Sequence, residues 1–329
     1  MSEDTGIITA ASTNGGGTPS FAQRQLEVTI TLASNQQSNQ PIKFTGTDSN
    51  SATFSGFRTS VSIENNGSLG GFLASVRMYG LNPSHINQLC VLGQQFNSVS
   101  NNKLLVSAGS AGSTLTPIFA GTVKFGYPNY DEMPNVPMCF ECQSGYIEAI
   151  LPAPALSFSQ PTPVATIISG IAAQMNVGFE NNGINVILPP SYFSGTLGDQ
   201  LRSIREHANI NADLVDNETK IAIWPLGGSR TSQQGNNIPL ISKSTGMIRS
   251  PGVMANGYLV VKTLFNPQIA HGSTVQIQSD SFPAANKSWV VYKSNLELQS
   301  MIPKGKWEQE LYCYPLGGEA PAPLGTALK

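Results

Sequence analysis

Twenty acidic side chains, three histidines and four cysteines are the groups in this sequence suited to taking up a proton, holding a metal or attacking a carbonyl. Cys139-Phe-Glu-Cys142 has the spacing of half a zinc site, but a tetrahedral zinc needs a second pair and no further CxxC or CxxH follows. The pair reads instead as part of a strand and its turn. With Cys90 and Cys313 the four are too unevenly spaced for a disulfide framework. His85, His207 and His271 fall in three different elements, so no three-histidine metal site is expected. His207 stands near a helix end, where it can serve the terminal carbonyls, and His271 beside Gly272 reads as a turn residue. Glu180, Asp199, Glu206 and Asp213 are the candidates for a glycan-cleaving carboxylate pair. Their spacing fixes no opposed pair, and they read as solvated helix and turn residues. Gly195-Thr-Leu-Gly198 lacks the lysine of a phosphate loop, and no nucleophile elbow, HExxH or dinucleotide fingerprint is found. The expectation is a non-enzymatic protein with no catalytic residue, cofactor or metal.

The positions that stand out have structural signals. Asn82 is placed to cap a short helix that has Pro83 in its first turn. Asn266-Pro267 marks a strand end, because proline removes a donor and restricts φ. Gly272 follows in the next turn, and Gly246 lies where a short strand runs into a turn. Trp224, Trp289 and Trp307 suit either interface anchoring or core packing.

These positions sit on elements read from periodicity. Arg24–Leu32 alternates as a strand, with Leu26, Val28, Ile30 and Leu32 on one face. Further strands are expected at Thr53–Asn65, Gly71–Met78, Lys103–Ala108, Ser113–Lys124 and Met138–Leu151, with a proline-rich loop from Tyr127 to Pro137. From Pro161 the pattern changes. Val164, Ile167, Ile168, Ile171, Ala172 and Met175 keep helical spacing, Ile184–Leu188 reads as a strand, Thr196–Ala208 as a capped amphipathic helix, and Lys220–Trp224 as a strand. In the second helix Leu197, Leu201, Ile204 and Ala208 form the apolar stripe, leaving Arg202, Arg205 and Glu206 to solvent. Strands return at Ile238–Ile248, Gly257–Leu264, Thr274–Gln278, Val290–Leu298 and Trp307–Tyr314.

The resulting fold class is mainly β with a small α/β insertion. Its divisions are a flexible arm at 1–20, a first β-barrel domain at 21–155, an α/β domain at 156–228, a second β-barrel domain at 229–315 and a loose tail at 316–329. At 329 residues the chain can bury several cores. Only 12% of residues are charged and the formal net charge is -2, which fits a surface covered by neighbours, as it would also fit an extracellular β protein, and gives no basic footprint for nucleic-acid binding. No basic-then-apolar leader and no run of 18 apolar residues is present, so synthesis in the cytoplasm without export and no membrane insertion are expected.

The order of these features resembles the baseplate hub family of contractile-tailed bacteriophages. Phe57 to Leu89, with Tyr79-Gly-Leu-Asn-Pro83, is similar to that family's first-barrel strand pair and capped turn. Ile238 to Gln278 is the better match, through Leu240–Ile248, Val261-Lys-Thr-Leu-Phe-Asn-Pro267 and the Gly272–Gln278 strand. The resemblance covers most of residues 24–315. It implies two tail-tube-like β barrels per chain and a homotrimer whose six barrels match the hexameric tail tube or a tube-adaptor protein. A trimeric central spike binds below, and DNA passes through the lumen without specific binding. It also implies a place in the virion, at the tail baseplate, after assembly in the host cytoplasm. A tail-associated peptidoglycan hydrolase and a cell-surface or glycan-binding module are the competing classes.

Overall fold

The computed structural model describes residues 23–33, 42–44, 48–66, 71–90, 101–230, 238–254 and 257–318. The expected N-terminal arm, most of the 229–237 linker and most of the C-terminal tail lie outside the described residues.

The first β region contains β1 (Arg24–Thr31), β2 (Ser51–Ser55), β3 (Thr59–Asn65), β4 (Phe72–Tyr79), β5 (Lys103–Ser110), β6 (Thr116–Pro128) and β7 (Pro137–Gln143), with the short helices α1 (Pro83–Leu89) and α2 (Tyr146–Ile150). Two expectations change here. Thr53–Asn65 is not one strand, because the chain breaks at Gly56, whose φ of +75° is left-handed. Met138–Leu151 is not one strand either. β7 stops at Gln143, Gly145 turns the chain at φ +64°, and the next residues coil into α2. The proline-rich segment is shorter than expected, since β6 runs on to Pro128 and pairs with Met138. One 3-10 turn closes this hairpin, and Glu132 in it is tied back to Arg77 and to the Tyr79 hydroxyl.

The α/β unit contains β8 (Leu156–Phe158), β9 (Thr162–Pro163), α3 (Val164–Gln174), β10 (Gly178–Asn181), β11 (Ile187–Leu188), β12 (Ser191–Phe193), α4 (Leu197–Ala208), β13 (Ile210–Val215) and β14 (Lys220–Pro225). Both helices begin where the sequence places them. Thr196 and Asp199 form a reciprocal capping box on α4, and Asn209 ends it in the left-handed region. The strands differ from expectation. Ile184–Leu188 contributes only two residues, paired with β9. The three-stranded sheet is built of β10, parallel to β14, and β13, antiparallel to it.

The last region holds β15 (Leu240–Ile241), β16 (Met247–Val253), β17 (Leu259–Leu264), β18 (Thr274–Ile277), β19 (Ser288–Ser300) and β20 (Trp307–Pro315). It is not joined to the first only through the helical piece. One 13-stranded sheet runs β16-β17-β20-β19-β3-β4-β7-β6-β5-β1-β2, with β18 added to β19 and β15 to β18. β19 makes the join: Thr274 to Gln276 of β18 pair with its first residues, and β3 pairs with Ser294 to Ser300. The sheet curls around a core that includes Leu26, Ile30, Val76, Phe119, Phe140 and Leu298. The curl brings the β1 end over β20, with the Arg24 guanidinium 5.6 Å from the Trp307 ring centre. No ladder joins the two ends, so no closed barrel is present among the described residues. A second core around Val261, Val275, Trp289 and Leu311 fills the last region, and a third, around Ile168, Leu201 and Ile221, lies inside the α/β unit.

Candidate functional site: an ion-paired junction

The concentrated polar chemistry of the chain lies where the α/β unit meets the β sheet. Arg230, just past β14, has a side chain that is 1% exposed. Its Nε and Nη2 donate to the two Glu180 carboxylate oxygens at 3.1 and 3.0 Å, and Nη1 and Nη2 donate to those of Asp216 at 3.2 and 3.0 Å. The planar fork thus makes two bidentate pairs, which a lysine cannot do. Lys220 Nζ lies 2.9 Å from both carboxylates as well. Backbone contacts fix Arg230 on the sheet side: its N–H donates to the Gly272 carbonyl at 2.9 Å and Nη1 to the His271 carbonyl at 3.3 Å.

A second pair is buried beside it. His271 Nε2 lies 2.9 Å from Asp213 Oδ2, while Arg205 Nη1 donates to Asp213 Oδ1 at 3.2 Å. Burial pushes the Asp213 carboxyl up. The His271 hydrogen bond and the charges of Arg205, His271 and Arg230 outweigh that, and hold it below the usual aspartate range. Asp216 is likewise lowered, its burial outweighed by Arg230 and Lys220. Arg230 is held above its ordinary value, because the two carboxylates outweigh its own desolvation.

A depressed folded pKa means that these aspartates stabilise the fold fully above their unfolded pKa, about 4. That contribution is lost as the pH falls through the folded values. The urea midpoint is therefore expected to drop on acidification from pH 7 to about pH 3, and to drop less in an Asp213→Asn, Asp216→Asn chain. Equal slopes in the two chains would contradict the assignment.

Two corrections follow. Glu180 and Asp213 are not solvated: their side chains are 10% and 2% exposed, because a partner cation lies against each. Arg205 does not face solvent but turns inward to Asp213. His271 is in a turn, as expected, yet it is buried, with the rings of Phe72 and Trp224 at 6.1 and 5.7 Å. The Asp213–His271 pair is the acid–imidazole half of a triad. Its free nitrogen, Nδ1, has no hydroxyl or thiol within hydrogen-bond distance among the described residues, so the geometry provides no nucleophile. Nor does any group of three or more His, Cys, Asp or Glu among the described residues suit a metal ion. Asp199 serves as the cap partner of Thr196, Glu206 is exposed, and His207 Nδ1 lies 2.6 Å from the Ser203 carbonyl.

The junction gathers two of the positions picked out from sequence. Trp224 is 2% exposed and packs against His271. Gly272 has φ +74°, and a Cβ there would lie 2.9 Å from Arg230 Cδ and 3.0 Å from Trp224 Cζ2. Pro267 lines a cleft beside the same junction, and Asn266 Oδ1 accepts from the Gln268 N–H to start that loop. The others lie elsewhere. Asn82 caps α1 by accepting from the His85 N–H at 2.8 Å, with Pro83 at the first position. Gly246, at φ +110°, packs on Leu264 and accepts from its N–H. Trp289 and Trp307 are core residues of the chain itself.

Sequence reasoning missed Arg230, Lys220, Asp216 and Glu218. One signal was present but unread: Trp224-Pro-Leu-Gly-Gly228 is echoed by Tyr314-Pro-Leu-Gly-Gly318. The two turns lie together, with the Gly317 N–H donating to the Gly227 carbonyl at 3.0 Å and the Tyr314 hydroxyl to the Gly228 carbonyl at 2.6 Å. They pin the exit from the α/β unit to the end of β20.

The sequence profile of the family described as baseplate hub gp41 matches residues 25–302. The chain belongs to this family. The match takes in the first β region, the α/β unit and the last region up to the end of β19. No curated protein sequence matches the chain. Among solved structures, a tail protein from Neisseria meningitidis MC58 is similar, with a TM-score of 0.57 and 9% identity over 88% of this chain and 96% of that one. The 43 kDa tail protein of prophage MuSo2 from Shewanella oneidensis gives 0.55 and 8%, over 89% and 99%. A chain of the Francisella PdpA-VgrG complex gives 0.54 and 8%, over 93% of this chain and 55% of that one. At such identities the likeness concerns the fold, and it extends through both the sheet and the α/β unit.

Proposed function

We propose that this baseplate hub family member is a structural subunit that joins the tail tube to the central spike of a contractile tail. The observation that carries the reading is the family match, which is unbroken across 25–302. In this reading the chain acts as a homotrimer. The regions 21–155 and 229–315 each count as one barrel-like unit towards a six-membered ring, and 156–228 braces them. The partners are a tube or tube-adaptor protein above and the spike below. The exposed face of the sheet agrees with a passage that transmits DNA without gripping it. Lys262 pairs with Glu308 and Arg77 with Glu132, Arg24, Lys124 and Lys293 lie over aromatic rings, and the formal net charge is -2, which gives no concentrated basic footprint for phosphates.

The role is assembly rather than catalysis. Light scattering of the purified chain across a concentration series is expected to reach a species of three times 34.9 kDa. A mass fixed at 34.9 kDa at every concentration, with no assembly on added tube protein, would contradict the reading.

A further inference from the structure

The α/β unit meets the rest of the chain across a seam unlike its interior. Its own core, around Val164, Ile168, Leu201 and Ile221, shares no residue with the cores of the β regions. Beside one buried apolar contact, Trp224 on His271, the ties across the seam are hydrogen bonds and ion pairs. Arg230 reaches Glu180 and Asp216, and His271 reaches Asp213. Asn217 Nδ2 donates to the Pro117 carbonyl at 3.0 Å. Glu218 accepts from the Gly145 N–H at 2.6 Å and pairs with Lys103 at 2.9 Å.

The seam also borders a cleft. The cleft, of about 420 Å³, is lined from the α/β unit by Val215, Asp216 and Asn217 and otherwise mostly by the β regions, Phe72, Ile118 and Ile269 among them. A largely polar boundary is the usual form of an interface between bodies that move.

The third observation is backbone strain at the point of contact. Asp216, Asn217 and Glu218 are consecutive non-glycine residues in the left-handed region, at φ 50°, 59° and 61°. Aspartate and asparagine tolerate that conformation singly, but a run that includes glutamate is costly. It persists where surroundings over-determine it. The run closes the β13–β14 hairpin, where Val215 pairs with Lys220, and the partners of its three side chains come from both sides of the seam: Arg230 and Lys220 for Asp216, Pro117 for Asn217, and Lys103 with Gly145 for Glu218.

We infer that the α/β unit is a hinged body for which the Asp216-Asn217-Glu218 turn is the latch. Release of the latch lets the unit swing away from the sheet about the two places where the backbone crosses the seam, Leu151–Pro154 and Pro225–Gly228, and opens the cleft onto Phe72, Ile118 and Ile269. Loss of the side-chain ties leaves the turn held by its hairpin alone, so its backbone strain favours release. The inference rests on the seam alone and is independent of the hub reading.

The test is hydrogen exchange on the full chain and on Glu218→Gln, which keeps the shape of the side chain but leaves Lys103 without its charge partner. Amides of the 216–219 turn and of the first residues of β5 are expected to exchange about tenfold faster or more, equivalent to about 1.4 kcal/mol of opening free energy. Amides of α3 and α4, which sit on the unit's own core, are expected to keep their parental rates. Faster exchange in α3 and α4 in step with the turn would mean that the unit melts rather than swings, and unchanged turn amides would mean that there is no latch. Either result overturns the inference. Independently, the thiol of an Ile118→Cys chain should react with a maleimide faster in the Glu218→Gln background, and equal rates would also overturn it.

Discussion

Replacing Arg230 with methionine is expected to cost about 3 kcal/mol or more of folding stability, the usual range for removing one partner of a buried ion pair. The guanidinium is 1% exposed and supplies four hydrogen bonds to Glu180 and Asp216. Without it, two mostly buried carboxylates lose the bidentate partner between them, while Lys220 stays 2.9 Å from both. The loss is less about the energy of the pair than about the charge left behind. For that reason Arg230→Met combined with Glu180→Gln should be less unstable than the sum of the two single changes, because the second removes a charge that the first strands. Urea midpoints of the four chains measure the coupling. Additive effects would show that Arg230 and Glu180 do not act as a unit.

Gly272→Ala is expected to be nearly as damaging, at about 3 kcal/mol, from two separate causes. Its φ of +74° puts an L side chain in the left-handed region, at about 1 kcal/mol or more. The added methyl would also press on Arg230 Cδ and Trp224 Cζ2 at about 3 Å, and overpacking a fixed site costs about 1–3 kcal/mol. Neither neighbour can give way, since Trp224 is 2% exposed and Arg230 is held at its far end by two carboxylates. Gly56→Ala separates the two causes. That glycine has the same left-handed φ, +75°, but nothing within 4 Å of an added Cβ, so only the backbone cost applies. Thermal or urea unfolding should rank Gly272→Ala well below Gly56→Ala, and equal losses would contradict the steric part of the argument.

What was legible in the sequence was what local chemistry decides. Asn82 before Pro83, and Thr196 three residues ahead of Asp199, announce the starts of α1 and α4 because a cap acts on amides within one turn. β1 could be read because one of its faces is buried and the other is not. β13 was hidden for the opposite reason: all six of its residues are buried, Asn211 and Asp213 among them, so no alternation exists to be seen. α2 was read as strand because its five residues are too few to show helical spacing and follow directly on β7. The continuity of the sheet through β19 had no local signal either, since it depends on pairing Ser294–Ser300 with residues 59–65.

The junction was the least legible part. Arg230 meets Glu180 fifty positions away, and Glu218 meets Lys103 across 115. Such pairs are set by tertiary packing rather than by spacing, so each charge read alone resembles an ordinary solvated residue. Gly272 and Trp224 were singled out from local cues. The structure supplies the shared reason, namely that glycine lets the backbone come within reach of Arg230 and the indole.

The proposed function puts this chain between tube and spike. Cryo-electron microscopy of purified tail particles that contain it tests this most directly. Three copies of the fold are expected in one ring at the junction of tube and spike, with the α/β unit of each docked on its sheet through Arg230. A reconstruction that places the fold elsewhere in the particle, or at that junction in a number other than three, would contradict it.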